Sequence, residues 1–308
     1  METKKTILIN SSLWQPKSFE QYAVKSINIF SINIFDRILR YLCRKVLKIP
    51  HTFRMKKNWT DSLEGCKLII LFDSTESIVA QSRIIENYVD SDVRLVLFLM
   101  NPMSYIEKHI AGVSDRWEVW SFSEQDSKQY GFKYGETFFL EKQIEKQKTE
   151  KPVYDSFFIG KDKGRKAKLA ELKSLYISKG LSNSLFYIVD NKKAIYSRQY
   201  KKAMSYALVL RIVQSSKSIT EVMQQNQDGF TLRVMESIFL KRKLITTNSS
   251  IKNRRIYCPK NIFILGEDNV EHLYEFVNAP YKEIDSEEVN KYEFASWLQR
   301  IVENKEFG

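Results

Sequence analysis

A chain of 308 residues, 43% of them apolar and 13% aromatic, can bury two cores, and its 10 glycines and 6 prolines are too few for long unstructured linkers. Three cysteines and three histidines at unrelated spacings exclude a disulfide framework and a histidine-based metal site, and point to a reducing compartment. The net charge of +12 suits a solvated basic surface, an anionic membrane or a nucleic acid, but no RRM-type, zinc-finger or helix-turn-helix signature accompanies it, so nucleic acid is not an expected partner.

The N-terminal METKKTILINSS is too short in apolar residues for a signal-peptide core. No apolar run reaches the roughly 18 residues of a spanning helix, so a cytoplasmic place is expected. Residues 6–10 (TILIN) read as a short buried strand, with a polar loop at 11–17. A helical pattern then runs from Phe19 to Leu47 and stops before Pro50. Within and beyond it, residues 37–57 (RILRYLCRKVLKIPHTFRMKK) mix cations with apolar side chains at helical spacing. Such a segment reads as a membrane-surface element or as the basic rim of a site. Residues 67–72 (KLIILF), 94–99 (RLVLFL) and 117–122 (WEVWSF) read as buried strands, with a helix at 78–88 between the first two. Apolar strands alternating with helices predict a parallel α/β sheet.

Residues 141–151 (EKQIEKQKTEK) are polar and charge-mixed, and mark a linker. The pattern then restarts: a strand at 154–159, a loop GKDKGR at 160–165, a helix at 166–179 closed by Gly180, and a strand at 185–189. Residues 197–207 read as loop and helix, and 211–214 as helix end or strand. A polar loop with Gly229 opens a short helix at Thr231, and a strand at 244–247 follows it. A last strand at 262–265 precedes closing helices at 272–277 and 291–302. The prediction is α/β, with two Rossmann-like doubly wound domains facing a cleft. Ligands of such sheets lie at the carboxyl ends of the strands.

Three groups of residues fall there. Gly160, Lys161 and Arg165 offer backbone N–H groups and cations to a diphosphate, or are the solvated charges of an ordinary strand–turn–helix. Thr231 reads as an N-cap, with Arg233 in the first turn and Glu236 one turn in. Asp73, just beyond a buried strand, reads as a base for an acceptor hydroxyl or as a helix cap. Asn101, Pro102 and Asp126 carry the same ambiguity. A receiver domain is excluded because ILINSS lacks the further acids it needs. The one D-x-D, at Asp90 and Asp92, precedes a strand rather than following it, so no metal is expected.

The segment NQDGFTLRVMESIFLKRKLITTN at 226–248, with GKDKGR before it and WEVWSFSEQDSKQYG in the first half, resembles bacterial GT-B glycosyltransferases of lipopolysaccharide or capsular polysaccharide assembly. The resemblance covers 154–280 best. It implies an N-terminal acceptor domain at 1–148, a nucleotide-sugar donor domain at 149–282, and a final helix at 283–308 packing back on the first domain. It also implies a sugar transferase whose donor is a nucleotide-sugar and whose acceptor is a glycan or glycolipid, peripheral on the inner membrane face and free of cofactor or metal. Asp228 and Glu236 match the family's E-x7-E acids, with Asp in place of the first Glu. By that match Glu236 contacts ribose and Asp228 lies near the donor sugar. Gly160, Lys161, Arg165, Gly229, Thr231 and Arg233 would line the donor phosphates, and Asp73 would serve the acceptor. An inactive GT-B-like binding subunit and a basic nucleic-acid-binding protein are the alternatives.

Overall fold

The computed structural model describes residues 5–9, 17–30, 34–43, 46, 59–73, 78–144, 152–223 and 229–308. The chain divides into two compact units, Met1–Glu136 with Trp297–Gly308, and Thr137–Ser296.

The first unit runs β1 (Thr6–Ile9), α1 (Lys17–Glu20), β2 (Lys25–Ile27), α2 (Ile34–Leu42), β3 (Leu68–Phe72), α3 (Ile78–Glu86), β4 (Arg94–Leu99), α4 (Met103–Ile110), β5 (Trp117–Ser121), α5 (Glu124–Tyr130) and β6 (Lys133–Tyr134). Its six strands pair in parallel in the order β2-β1-β3-β4-β5-β6. Every residue of β1 and β3 is buried, as a parallel sheet covered on both faces requires. Ile7, Ile69, Leu71, Leu95 and Leu97 join Trp59 and Met103 in one core.

The long helix expected from Phe19 to Leu47 is not formed. It divides into α1, the edge strand β2 and α2. Ala23 takes a left-handed φ of 57°, which ends the first piece. β2 then pairs with β1, Ile7 opposite Lys25 and Ile9 opposite Ile27. Helical spacing was a poor guide here because the β-branched residues of SINI gain more from the open edge of β1 than from another helical turn. Most of the basic stretch at 37–57, including Arg44, Lys45 and Lys48, lies outside the described residues or their described side chains, as do the loop at 11–16, residues 74–77 and Asp228.

The second unit runs β7 (Tyr154–Lys161), α6 (Lys166–Ser178), β8 (Leu185–Val189), α7 (Tyr206–Gln214), β9 (Ser216–Glu221), α8 (Leu232–Phe239), β10 (Lys243–Thr246), β11 (Ile262–Ile264), α9 (Leu273–Asn278) and α10 (Ser286–Asn290). Its five strands are also parallel, in the order β11-β10-β9-β7-β8. The central strand β9, SKSITE, was not anticipated. Ser216, Ser218 and Thr220 are fully buried in it, and their hydroxyls are satisfied inside the unit. Ser218 donates to the Asp155 carbonyl at 2.8 Å, and Thr220 lies 2.8 Å from the Ser156 hydroxyl and 2.7 Å from that of Tyr176. A strand that buries paired hydroxyls carries no apolar signal.

The closing helix α11 (Phe294–Glu303) begins in the second unit and ends in the first. Within the first unit its Trp297 stacks on Phe72 at 6.1 Å and meets Phe98 edge-on at 4.9 Å. Arg94 grips Glu118 with two bonds of 2.6 and 2.8 Å, and its third arm reaches the Ile301 carbonyl at 2.5 Å.

Candidate functional site

The order of the second sheet reverses between β7 and β9, so a crevice opens at the carboxyl ends of these two strands. β7 ends on Gly160 and Lys161. The chain then turns through left-handed Lys163 (φ 44°) and Gly164 (φ 81°), and the Asp162 carboxylate accepts the Lys166 N–H at 3.0 Å to start α6. Arg165 spans the reversal. Its guanidinium donates to the carbonyls of Lys161 (2.6 Å), Asp162 (3.3 Å) and Val222, the residue just past β9. A Cβ at position 160 would stand 3.0 Å from that guanidinium and 3.2 Å from the Phe158 ring, so glycine leaves the clamp its room. Lys161 and Lys163 are exposed beside it. Partial burial of its stem first, and then the charges of Lys161 and Arg165, hold the Lys163 ammonium below its usual range. Lys161, Lys163 and Arg165 thus gather positive charge at this strand end, with the carboxylates of Asp162 and Glu221 acting on Arg165. Behind them Tyr200 donates to Asp162 at 2.7 Å, and Lys193 lies over the Tyr200 ring at 4.7 Å.

α8 enters the same crevice. Buried Gly229 and Phe230 lead to Thr231, whose hydroxyl oxygen accepts the Arg233 N–H at 3.0 Å. The hydroxyl proton goes to Glu221, the last residue of β9. The other oxygen of Glu221 accepts from Thr246 at 2.5 Å. Glu221 is buried, and burial raises its carboxyl pKa against the pull of those hydroxyls and of Arg233 and Arg165. It is therefore an acid on which the charges of Arg165 and Arg233 both act. The sequence reading missed it because its strand was missed; an acid closing a strand was the available signal.

Glu236 sits one turn into α8, wholly buried, and takes Arg233 at 2.5 Å. Burial pushes its carboxyl up to about 7, and Arg233 and Tyr206 hold it back. The second carboxylate oxygen of Glu236, Nη1 of Arg233 and the Tyr206 hydroxyl are buried without a hydrogen bond of good geometry. Hydrogen bonds and charge thus link Arg165 at the end of β7 through Glu221 to Thr231, Arg233 and Glu236 of α8, with Gly160 and Lys161 beside Arg165.

In the first unit the sheet reverses between β1 and β3, and Asp73 lies at the carboxyl end of β3. It is buried, and its Oδ2 accepts the Asn101 N–H at 2.9 Å and the Asn101 side-chain amide at 3.2 Å. Burial raises its carboxyl pKa from 3.8 to about 6, and these bonds oppose the rise. Asn101 therefore holds Asp73. Asp126 instead caps α4, accepting the Met103 N–H at 2.9 Å. Among the described residues no three His, Cys, Asp or Glu side chains come together as a metal site.

No family model matches this chain, and no curated protein matches it in sequence. Solved structures do. T4 phage β-glucosyltransferase, in a structure on its substrate binding and proposed catalytic mechanism, superposes with a TM-score of 0.52 over 97% of this chain and 98% of that one, at 12% identity. The fold is GT-B. The same phage enzyme with its UDP-glucose substrate gives 0.48 at 12% identity, covering 96% of this chain and 95% of that one. The spinosyn forosaminyltransferase SpnP gives 0.42 at 8% identity, covering 97% and 90%. At 12% identity the likeness to the phage enzyme at a TM-score of 0.52 speaks for the fold and not for a shared substrate.

Proposed function

We propose that this GT-B chain is a glycosyltransferase that moves a sugar from a nucleotide-activated donor to a bacterial surface glycan, of lipopolysaccharide core or capsule type. The observation that carries the reading is the cationic crevice at the reversal of the second sheet. Lys161, Lys163 and Arg165 stand at the end of β7, and the capped start of α8 brings Arg233. The leaving nucleoside diphosphate gains charge in the transition state, and pre-set cations and a helix N-terminus stabilise it there. These groups supply that charge without a metal. Glu236, whose second oxygen meets the Tyr206 hydroxyl without a hydrogen bond of good geometry, is the acceptor for a ribose hydroxyl in this reading. Asp228 would lie near the donor sugar, as the sequence resemblance implies. Asp73, with a pKa near 6, suits the base that takes the proton of the acceptor hydroxyl near neutral pH.

Peripheral attachment to an anionic membrane belongs to the same reading. α2 exposes Phe35, at 67%, and Ile38, at 55%, along with Tyr41 and Leu42. No helix among the described residues is long and apolar enough to cross a membrane.

A thermal-shift series with UDP, GDP, CMP and their sugars tests the donor. A ligand that binds only the folded state raises the melting temperature, and binding at 100 times Kd is worth about 2.7 kcal/mol. One nucleotide class should stabilise the chain, and its sugar should then be transferred to lipid-linked glycan. Stabilisation without transfer would make it an inactive binding subunit. No stabilisation by any nucleotide would overturn the donor site.

A further inference from the structure

The amino ends of the second unit's strands hold a cavity of about 620 Å³, away from the carboxyl-end crevice. That volume is in the range of small-molecule pockets, roughly 300–1,000 Å³. Its floor is Lys243, the first residue of β10, which is only 2% exposed. Phe276 of α9 forms one wall, and Ala279, Pro280 and Tyr281 form another. Both are set in place. Phe276 packs on Phe263 with centroids 5.4 Å apart. Buried Asn261 clasps Lys282 from both sides, donating to its carbonyl at 2.6 Å and accepting its N–H at 2.8 Å.

The charge in this cavity is unbalanced. The Lys243 ammonium donates to the Lys260 carbonyl and lies 4.8 Å from the centre of the Phe276 ring. No carboxylate among the described residues pairs with it, and the one titratable group whose charge acts on it is the Cys258 thiol. Burial accordingly holds its pKa below the usual lysine value. Lys260, Lys282 and His272 also line the cavity, against the single acid Glu275. A buried ammonium with a carbonyl and a ring face as its partners lacks a counterion, and such a charge is costly to retain. Methionine would pack the same volume without that cost. The missing negative charge is what a ligand can bring.

We propose that this cavity binds a small anion carried on a flat apolar ring, with its carboxylate or phosphate head on Lys243 and its ring between Phe276 and Tyr281. Lys260 and Lys282 draw the head in from the rim. The site stands at the opposite end of the sheet from the donor crevice and does not depend on the donor reading.

Calorimetry on the full chain with phenyl phosphate and benzoate as probes, and benzyl alcohol as the uncharged control, tests it. At least one anion should bind one to one, and the one that binds tells phosphate from carboxylate. Benzyl alcohol should bind at least about tenfold more weakly. Lys243→Met should weaken the anion by about 10- to 150-fold, the worth of one charged hydrogen bond. Without ligand, Lys243→Met should melt above the wild type, because an apolar body replaces an uncompensated charge. Lys161→Ala, at an exposed residue of the donor crevice, should leave probe binding unchanged, which separates this cavity from that crevice. Equal binding by Lys243→Met overturns the proposal, as does binding lost in Lys161→Ala. Silence of both anions at about 10 mM overturns it too, and so does a lowered melting temperature for Lys243→Met, which would show the lysine satisfied by the fold.

Discussion

Two buried carboxylates decide how the candidate site responds to pH and to substitution. Asp73 has a folded pKa of about 6 against an ordinary 3.8. The folded state therefore takes up this proton before the unfolded state does. Above about pH 6 the protein carries a buried charge that weakens it by about 3 kcal/mol. The penalty fades as pH falls from 6 towards 4, and it is absent below. Asp73→Asn keeps an acceptor for the Asn101 N–H and removes the charge. In denaturant titrations it should gain about 3 kcal/mol over wild type at pH 8, relative to the same comparison at pH 4. A gain equal at both pH values would contradict the burial argument. The variant should also lose transfer, since an amide takes no proton. Glu236 differs in that it has a cation on the same helix face. Glu236→Ala strands the mostly buried Arg233 and should cost about 3–5 kcal/mol of stability, which would blur any loss of nucleotide affinity. Glu236→Gln keeps an oxygen for Arg233 and separates the two effects. It should fold normally and bind nucleoside diphosphate about tenfold more weakly. Unchanged affinity by calorimetry would remove Glu236 from the site.

At the scale of the element, the start of α8 hangs on a relay from β10 and β9. Thr246 and Thr231 both donate to Glu221, and Thr231 then caps the Arg233 N–H. Thr231→Ala should lose about 1 kcal/mol from the missing cap and weaken nucleoside diphosphate binding. Thr231→Ser should restore both, as thermal denaturation and calorimetry together would show. A Thr231→Ala chain with wild-type melting and affinity would place the phosphate site elsewhere. α8 was legible in advance: a glycine loop, a threonine cap and an apolar face at helical spacing are all local signals. So were β3 and β4, whose LIILF and RLVLFL have the near-continuous apolar run of a strand covered on both faces. Glu221 and β9 were not. SKSITE buries its hydroxyls by pairing them with Ser156, Tyr176 and the Asp155 carbonyl, partners that lie 44 to 64 positions away in sequence. β2 was hidden for the opposite reason, because its apolar residues also fit a helix and the free edge of β1 decided the matter.

For the whole molecule, a fold shared over 97% of the chain at 12% identity shows which constraints a doubly wound sheet imposes. It needs apolar strands and two points where the strand order reverses. The residues at those points are left open, and chemistry is written there. The charge balance of +12 is one such open variable. α2 turns Phe35, Ile38, Tyr41 and Leu42 to solvent, and the sequence around it supplies Arg40, Arg44, Lys45 and Lys48. An exposed apolar stripe within a cation-rich stretch of sequence suits a bilayer interface with anionic headgroups. Each cation near such a surface contributes about 1 kcal/mol, so replacing these four by Gln should remove about 4 kcal/mol at low salt, or roughly three orders of magnitude in vesicle partitioning. Phe35→Ser with Ile38→Ser should weaken binding as well, but without altering its salt dependence, because that pair contributes area rather than charge. High salt should release the wild type and leave little further for the charge variant to lose. Sedimentation with vesicles of anionic and of zwitterionic lipid reads all of this at once. Equal pelleting of wild type and both variants on anionic lipid, indifferent to salt, would leave the exposed face of α2 without a membrane role.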